Sequence, residues 1–183
     1  MPWGLRRFHE SGQSHFITFC CYHRRALLNA PESIETFEAA LERVRRTYQL
    51  RVFGYVVMPE HVHLLLSEPQ GDTLAEAIKS LKQGVSRRLI GDAKHFWQKR
   101  YYDFNVRDYE QFVEKLRYIH RNPVKRGLCA APEDWEWSSF LHCATGIEGR
   151  VEIESEWTAR KRERAAGRLP PPVELPHSSQ NQA

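Results

Sequence analysis

The stretch GYVVMPEHVHLLLSEP, residues 54–69, predicts a β-hairpin: an apolar strand, a turn at Pro59-Glu60, and a second strand that begins with His61-Val62-His63. Since successive side chains of a strand point to opposite faces, His61 and His63 share one face, while the other face is apolar and suits a core. Cα atoms two residues apart lie about 6.5–7 Å from each other, so the two imidazoles can converge on one divalent metal ion. Ordinary surface or core histidines are the alternative interpretation. A metal site would need a third ligand from elsewhere in the chain.

The composition is typical of one domain with a charged end. The chain has 183 residues, of which 41% are hydrophobic and 11% aromatic, enough to bury one core. We place the domain at residues 1–150 and expect the charged, then proline-rich extension 151–183 to be largely disordered. The sequence has no run of eighteen apolar residues and no apolar signal-peptide core near its N-terminus. We therefore expect a soluble, cytoplasmic protein with no membrane partner.

Positive charge is concentrated in the middle of the chain. The net charge is +4, and the segment from Lys79 to Arg107 contains eight basic residues against two aspartates. We predict a helix over residues 73–90 whose outward basic side chains form a groove wall for a phosphate backbone, followed by aromatic residues interleaved with more positive charge. A solvated helix face is the alternative. The residues we expect to contact nucleic acid here are Lys79, Lys82, Arg87, Arg88, Lys99 and Arg100.

A helix that begins at Asp108 and must end by Pro123 is predicted to present two different faces. At about 100° per residue, one face is an apolar stripe made of Tyr109, Phe112, Leu116, Ile119 and His120, so we predict that His120 is a core histidine. A polar strip lies on another face and consists of Gln111, Lys115, Tyr118 and Asn122. A tyrosine that served only packing would lie on the apolar stripe, and Tyr118 does not.

If the polar strip covers the histidine pair, the parts suit metal-assisted phosphoryl transfer. Asn122, one turn after Tyr118, is the candidate third metal ligand through its amide oxygen. Tyr118 is the candidate nucleophile toward a phosphodiester, with the metal as Lewis acid and Lys115 stabilising the developing negative charge. Tyr101 and Tyr102 are competing nucleophiles, for which we prefer base stacking or core packing.

Four segments in this order resemble the single-tyrosine HUH transposases, in particular the REP-associated tyrosine transposase branch. They are GYVVMPEHVHLLLSEP, FWQKRYYDFNVRD, KLRYIHRNPVKRGL and DWEWSSF, and the resemblance covers residues 5–144. It implies an α+β fold, with a ferredoxin-like antiparallel β-sheet and helices packed on one face, and a Mg²⁺ or Mn²⁺ ion as cofactor. It also implies metal ligation by His61, His63 and Asn122, and cleavage of single-stranded DNA beside a hairpin through a covalent bond to Tyr118.

The same resemblance implies that a basic N-terminal segment contacts the DNA next to the hairpin, and Arg6 and Arg7 stand in the matching place. Whether the protein acts as a monomer or as a homodimer that exchanges its tyrosine helix is left open. Two rival functions also stay open. One is a domesticated protein that grips structured single strands without cutting them. The other is a nucleotide phosphohydrolase or transferase with a histidine nucleophile, which the leucine at position 65 disfavours.

Overall fold

The computed structural model describes residues 14–91 and 93–170, and the basic N-terminal pair Arg6 and Arg7 lies outside them. Four strands form one antiparallel sheet in the order β2-β3-β1-β4. The strands are β1 (Ser14–Cys20), β2 (Val52–Val57), β3 (His61–Ser67) and β4 (Tyr102–Val106). Five α-helices occur in the described chain: α1 (Pro31–Thr47), α2 (Leu74–Leu89), α3 (Tyr109–Lys125), α4 (Phe140–Thr145) and α5 (Glu156–Ala165). None of these helices has both the length and the apolarity needed to cross a bilayer.

Side-chain caps fix where the helices begin. The Thr73 hydroxyl accepts the Glu76 N–H at 3.2 Å before α2, and the Asp108 carboxylate accepts the Gln111 N–H at 2.8 Å before α3. Each bond satisfies a donor that the first helical turn leaves free. The predicted end of α3 is wrong, because the helix passes through Pro123 and ends at Lys125. Proline has no N–H, so the helix lacks the hydrogen bond that residue 123 would donate to the Ile119 carbonyl. So close to the end of the helix, this is the only bond lost.

The sheet confirms the α+β class, but the helices are divided between both of its faces and not packed on one. One face carries Ile17, Val62 and Leu64 and is buried in the larger core cluster with α1 and α2. The opposite face carries Phe16, Val56 and Leu65 and packs with Phe112 and Ile119 of α3. Every residue of β2 is buried, so this strand needs cover on both sides. Because the helices are divided between the two faces of the sheet, α3 lies on the face that carries the histidines.

The predicted domain boundary at residue 150 is also wrong, because the chain beyond it folds onto the sheet. Val151 and Ile153 are buried in the larger core, and Ile153 forms a parallel bridge with Val52 at the outer edge of β2. The Glu154 N–H donates to the Val52 carbonyl at 2.7 Å. Helix α5 follows, with the Ser155 hydroxyl as its N-cap. Residues 171–183 of the predicted disordered extension lie outside the described residues.

Candidate active site

The two histidines at the start of β3 face each other in a buried position. Each side chain belongs to a residue that is only 4% exposed, and the two Nε2 atoms lie 3.0 Å apart. The Nδ1 atoms point to other partners: His61 Nδ1 lies 3.1 Å from Glu60 Oε1, and His63 Nδ1 lies 2.7 Å from Thr18 Oγ1. With an Nδ1–H donated to each of these oxygens, both Nε2 lone pairs point at one shared space.

Burial keeps this pair neutral. Loss of solvent, with smaller contributions from His61, Arg126 and Arg24, lowers the pKa of His63 to about 3. Burial also lowers the pKa of His61, although the neighbouring Glu60 carboxylate opposes that effect. Neutral imidazole is the form that binds a metal, so the pair is in its ligand form at neutral pH.

Glu60 is an anchor beside the pair and not a third group converging on it. Its Oε1 accepts from Arg126, the residue that follows α3, at 2.5 Å and faces His61 Nδ1, with the Arg24 guanidinium 3.6 Å away. Burial alone would raise the pKa of this carboxyl, but His61 and Arg126 outweigh burial and the pKa is lowered. A carboxylate held in this way orients the His61 ring and ties the hairpin turn to α3.

The donor set at this point fits a small divalent ion. Two ligand bonds of about 2.1 Å at a right angle place their donor atoms about 3.0 Å apart, which matches the spacing of the two Nε2 atoms. Within residues 14–91 and 93–170 no three His, Cys, Asp or Glu side chains are grouped to hold a metal, so among these residues an amide oxygen is our candidate for a further ligand. Asn122 Oδ1 is buried and makes no hydrogen bond in the described structure. A buried amide oxygen without a donor is available to a cation.

Tyr118 of the polar strip and Arg126, the residue after α3, both contact the hairpin that carries the histidines. The Tyr118 ring meets the His63 ring edge-on at 5.2 Å between centroids, and Arg126, two turns later, binds Glu60. Asn122 lies between these two contacts on the same strip. Tyr118 is 39% exposed, whereas Ile119 is fully buried. The helix therefore presents a solvent-accessible phenol next to a buried imidazole pair.

One lysine of α3 lies beside this phenol, and a second lies beside the neighbouring Phe16 ring. Lys125 Nζ lies 5.5 Å from the centroid of the Tyr118 ring. Lys115 Nζ lies 5.4 Å from the ring centroid of Phe16, which itself touches Tyr118 at 5.8 Å and stacks on His63 at 5.5 Å. Cations near a phenol stabilise the phenolate and any negative charge that forms on an attacking oxygen.

The basic residues predicted to contact nucleic acid are divided by the fold. Helix α2, with Lys79, Arg87 and Arg88 exposed, packs on the sheet face opposite the histidines. Lys82 is half-buried and donates to the Gln98 carbonyl at 2.7 Å, so its ammonium is used within the protein. Lys99 and Arg100 are exposed just before β4. The Gln98 N–H donates to the carbonyl of Cys20, the register partner of His61, at 2.9 Å, so Lys99 and Arg100 lie near the site end of the sheet.

The two competing tyrosines, Tyr101 and Tyr102, lie in different environments. Tyr101 packs against the larger core, whereas Tyr102 is 55% exposed on the same face as the histidines. His120 is buried, as predicted, with its Nε2 2.8 Å from Ser139 Oγ.

The sequence reasoning missed four residues that build the site: Phe16, Thr18, Lys125 and Arg126. Residues 16 and 18 alternate along β1 and therefore share a face, but only the strand order places that face beside His63. The two basic residues follow Pro123, where the helix was predicted to have ended. Recognising that α3 continues would have placed residue 126 on the strip of residues 118 and 122.

The fold and the site together define an α+β domain in which a strand His-x-His pair meets a helix tyrosine. The family described as "Transposase IS200 like" matches residues 9–122, and the chain belongs to this family of DNA-processing enzymes. The chain is 27% identical over 136 residues to the REP-associated tyrosine transposase of Escherichia coli, a match that covers 74% of this chain and 81% of that protein. A Haemophilus influenzae protein that carries the same name provisionally is 29% identical over 149 residues, 74% of this chain and 84% of its own length.

A solved structure supports the same relationship. It is a REP-associated tyrosine transposase bound to a REP hairpin, and it superposes with a TM-score of 0.66 at 25% identity. The match covers 79% of this chain and 87% of that protein. The resemblance found in the sequence is thereby confirmed at the level of family and fold.

Proposed function

We propose that this chain is a metal-dependent endonuclease and strand transferase that cuts and rejoins single-stranded DNA beside a hairpin, with Tyr118 as nucleophile. The observation that carries the proposal is the edge contact between the exposed Tyr118 ring and His63, whose Nε2 faces that of His61. The DNA partner is inferred from the family and from the solved relative that holds a REP hairpin.

In the proposed reaction, the Tyr118 Oη attacks phosphorus and forms an O–P bond while the P–O3′ bond breaks. The phenol loses its proton, and the departing 3′ oxygen takes one up to become a hydroxyl. The product is a 5′-phosphotyrosine, which replaces one phosphodiester by another. Because no bond energy is spent, attack by a 3′-hydroxyl on the phosphotyrosine rejoins the strand without a nucleotide cofactor.

His61, His63 and Asn122 would hold the ion, which we propose is Mg²⁺ or Mn²⁺. When bound, the ion supplies Lewis-acid polarisation of a phosphate oxygen. The protein supplies orientation and positive charge. Thr18 and Glu60 orient the two imidazoles through their Nδ1 atoms, and α3 holds the phenol in place. Lys125 and Lys115 provide positive charge for the negative charge that develops in the reaction.

Formation of a covalent protein–DNA adduct tests the proposal. The purified protein is incubated with labelled hairpin-bearing single-stranded DNA and Mg²⁺ or Mn²⁺, and adducts are resolved on a denaturing gel. We expect an adduct that EDTA prevents and that Tyr118→Phe abolishes. Tyr102→Phe is the matched control, because it removes another exposed hydroxyl from the same face.

An adduct that persists in Tyr118→Phe contradicts the choice of nucleophile. Hairpin binding by the wild-type protein with no adduct under either metal identifies instead the binding protein that does not cut.

A further inference from the structure

In the part of the chain that the structure describes, the half of the histidine face at the start of β4 is left open, and Tyr102 is exposed there. Helix α3 packs mainly on β2 and β3, and β4 forms the other edge of the sheet. Tyr102 lies in this open half and is 55% exposed, more than Tyr118. A large aromatic ring left in solvent is a candidate contact surface.

The sheet register puts Tyr102 in line with the site. His63 pairs with Thr18, and Thr18 pairs with Tyr102, so the three residues form one row across β3, β1 and β4. The row shares a face because directly paired residues point the same way. With strands about 4.8 Å apart, Tyr102 stands about 10 Å from His63 along the row.

Phe16 connects Tyr102 to the candidate nucleophile. Its ring meets Tyr102 edge-on at 6.5 Å and Tyr118 edge-on at 5.8 Å between centroids. The two tyrosine rings are therefore no more than about 12 Å apart. A few nucleotides of single-stranded DNA span that distance, since the stacked repeat is about 3.4 Å per nucleotide.

The charge around Tyr102 suits a nucleotide better than an apolar peptide. Lys115 Nζ lies over the ring of Phe104, the next residue of β4 on this face, at 4.7 Å. Lys99 and Arg100 are exposed immediately before the strand. An exposed aromatic ring bordered by cations offers a base a stacking surface and its phosphate a counter-charge.

We propose that Tyr102 is a stacking platform for an unpaired nucleobase in the single-stranded segment next to the phosphate held at Tyr118. This inference rests on the proposed function and adds to it the position at which the strand is gripped. Stacking is tolerant of base identity, so Tyr102 would supply affinity and alignment but little sequence preference.

Binding of uncut DNA tests this role. Fluorescence anisotropy is measured without metal in a Tyr118→Phe background, using a hairpin with a single-stranded flank. We expect Tyr102→Ala to weaken binding about tenfold, and Tyr102→Phe and Tyr102→Trp to bind within about twofold of the parent. Ile147→Ala, which removes a similarly exposed apolar side chain elsewhere, is the control and should not change binding. Thermal unfolding establishes that each variant is folded.

An abasic scan of the flank makes the test specific. Removing the base that stacks on Tyr102 should weaken binding by the parent about as much as Tyr102→Ala does. The same abasic DNA should weaken binding by the Tyr102→Ala variant little further, because the two changes remove one and the same interaction.

Unchanged affinity of Tyr102→Ala, or an equal loss at every abasic position, overturns the platform. A change in oligomeric state by light scattering with unchanged DNA binding also overturns it, and assigns the open β4 edge to a second copy of the chain. Failure of the parent protein to bind the hairpin DNA at all would instead overturn the proposed function. The adduct assay compares the wild-type protein with Tyr118→Phe, both of which keep Tyr102, so the two failures can be told apart.

Discussion

At the scale of single residues, Thr18 orients one of the two candidate metal ligands. Its Oγ1 lies 2.7 Å from His63 Nδ1, and the two residues are register partners on neighbouring strands. A hydroxyl that accepts the Nδ1–H leaves the Nε2 lone pair free for a metal. Burial of His63 makes this bond important, because water cannot replace the lost partner.

We therefore predict that Thr18→Val lowers the affinity for Mn²⁺ about 10–100-fold, because the His63 ring loses the partner that fixes its tautomer. Isothermal titration with Mn²⁺ alone measures the change. Thr18→Ser keeps the hydroxyl and should bind like the wild type. Thr36→Val removes a hydroxyl from α1, where it donates to the Glu32 carbonyl, and serves as the remote control. Equal Mn²⁺ affinity of Thr18→Val and the wild type would contradict this role.

At the scale of elements, the close approach of α3 to β2 decides where the tyrosine lies. Gly54 allows this approach, since a Cβ at residue 54 would stand 2.5 Å from Leu116 Cδ1 and 3.3 Å from Ser139 Oγ. The ladder between β2 and β3 is irregular between Val52 and Gly54, where α3 packs. The Arg126–Glu60 ion pair fastens the far end of the helix to the hairpin turn.

Strand propensity alone predicts that Gly54→Val stabilises β2, whereas the packing predicts the opposite. We expect a loss of about 2 kcal/mol in the free energy of unfolding, because the new side chain overlaps Leu116 and pushes α3 away. Chemical denaturation measures the loss. Gly149→Val is the matched control, since a Cβ there meets nothing within 4 Å. A Gly54→Val protein as stable as the wild type would show that α3 can shift without cost.

At the scale of the whole molecule, the segment after residue 150 completes the fold. Val151 and Ile153 enter the larger core, and the Glu152 N–H donates to Glu42 of α1 at 3.0 Å. The segment also covers the outer edge of β2, which would otherwise leave strand donors and acceptors unpaired. Exposed ion pairs of α5, such as Arg162 with Glu152, add little to the stability of the fold.

We predict that a chain ending at residue 150 is less stable than one ending at residue 170 by on the order of 4 kcal/mol, because two buried aliphatic side chains are lost. Thermal and urea unfolding of the two proteins measure the difference. Equal stability of the two shortened proteins would show that the segment is an accessory to the fold.

The sequence by itself determined the local features of this protein. Alternation placed His61 and His63 on one face, helical periodicity separated Tyr118 from the apolar stripe, and the caps at Thr73 and Asp108 fixed two helix starts. These features depend on neighbours within a few residues, which the sequence shows directly. The ordered matches of four segments also identified the family.

Only the tertiary structure decided which surfaces meet. It placed the basic helix α2 on the face opposite the histidines, carried α3 past Pro123, and folded residues 151–165 onto the sheet. It also brought Thr18, from a strand forty-five positions away, to His63. The physical reason is that helix placement and strand order are fixed by burial of apolar faces far apart in the chain, and periodicity within a segment carries no record of which partner covers it.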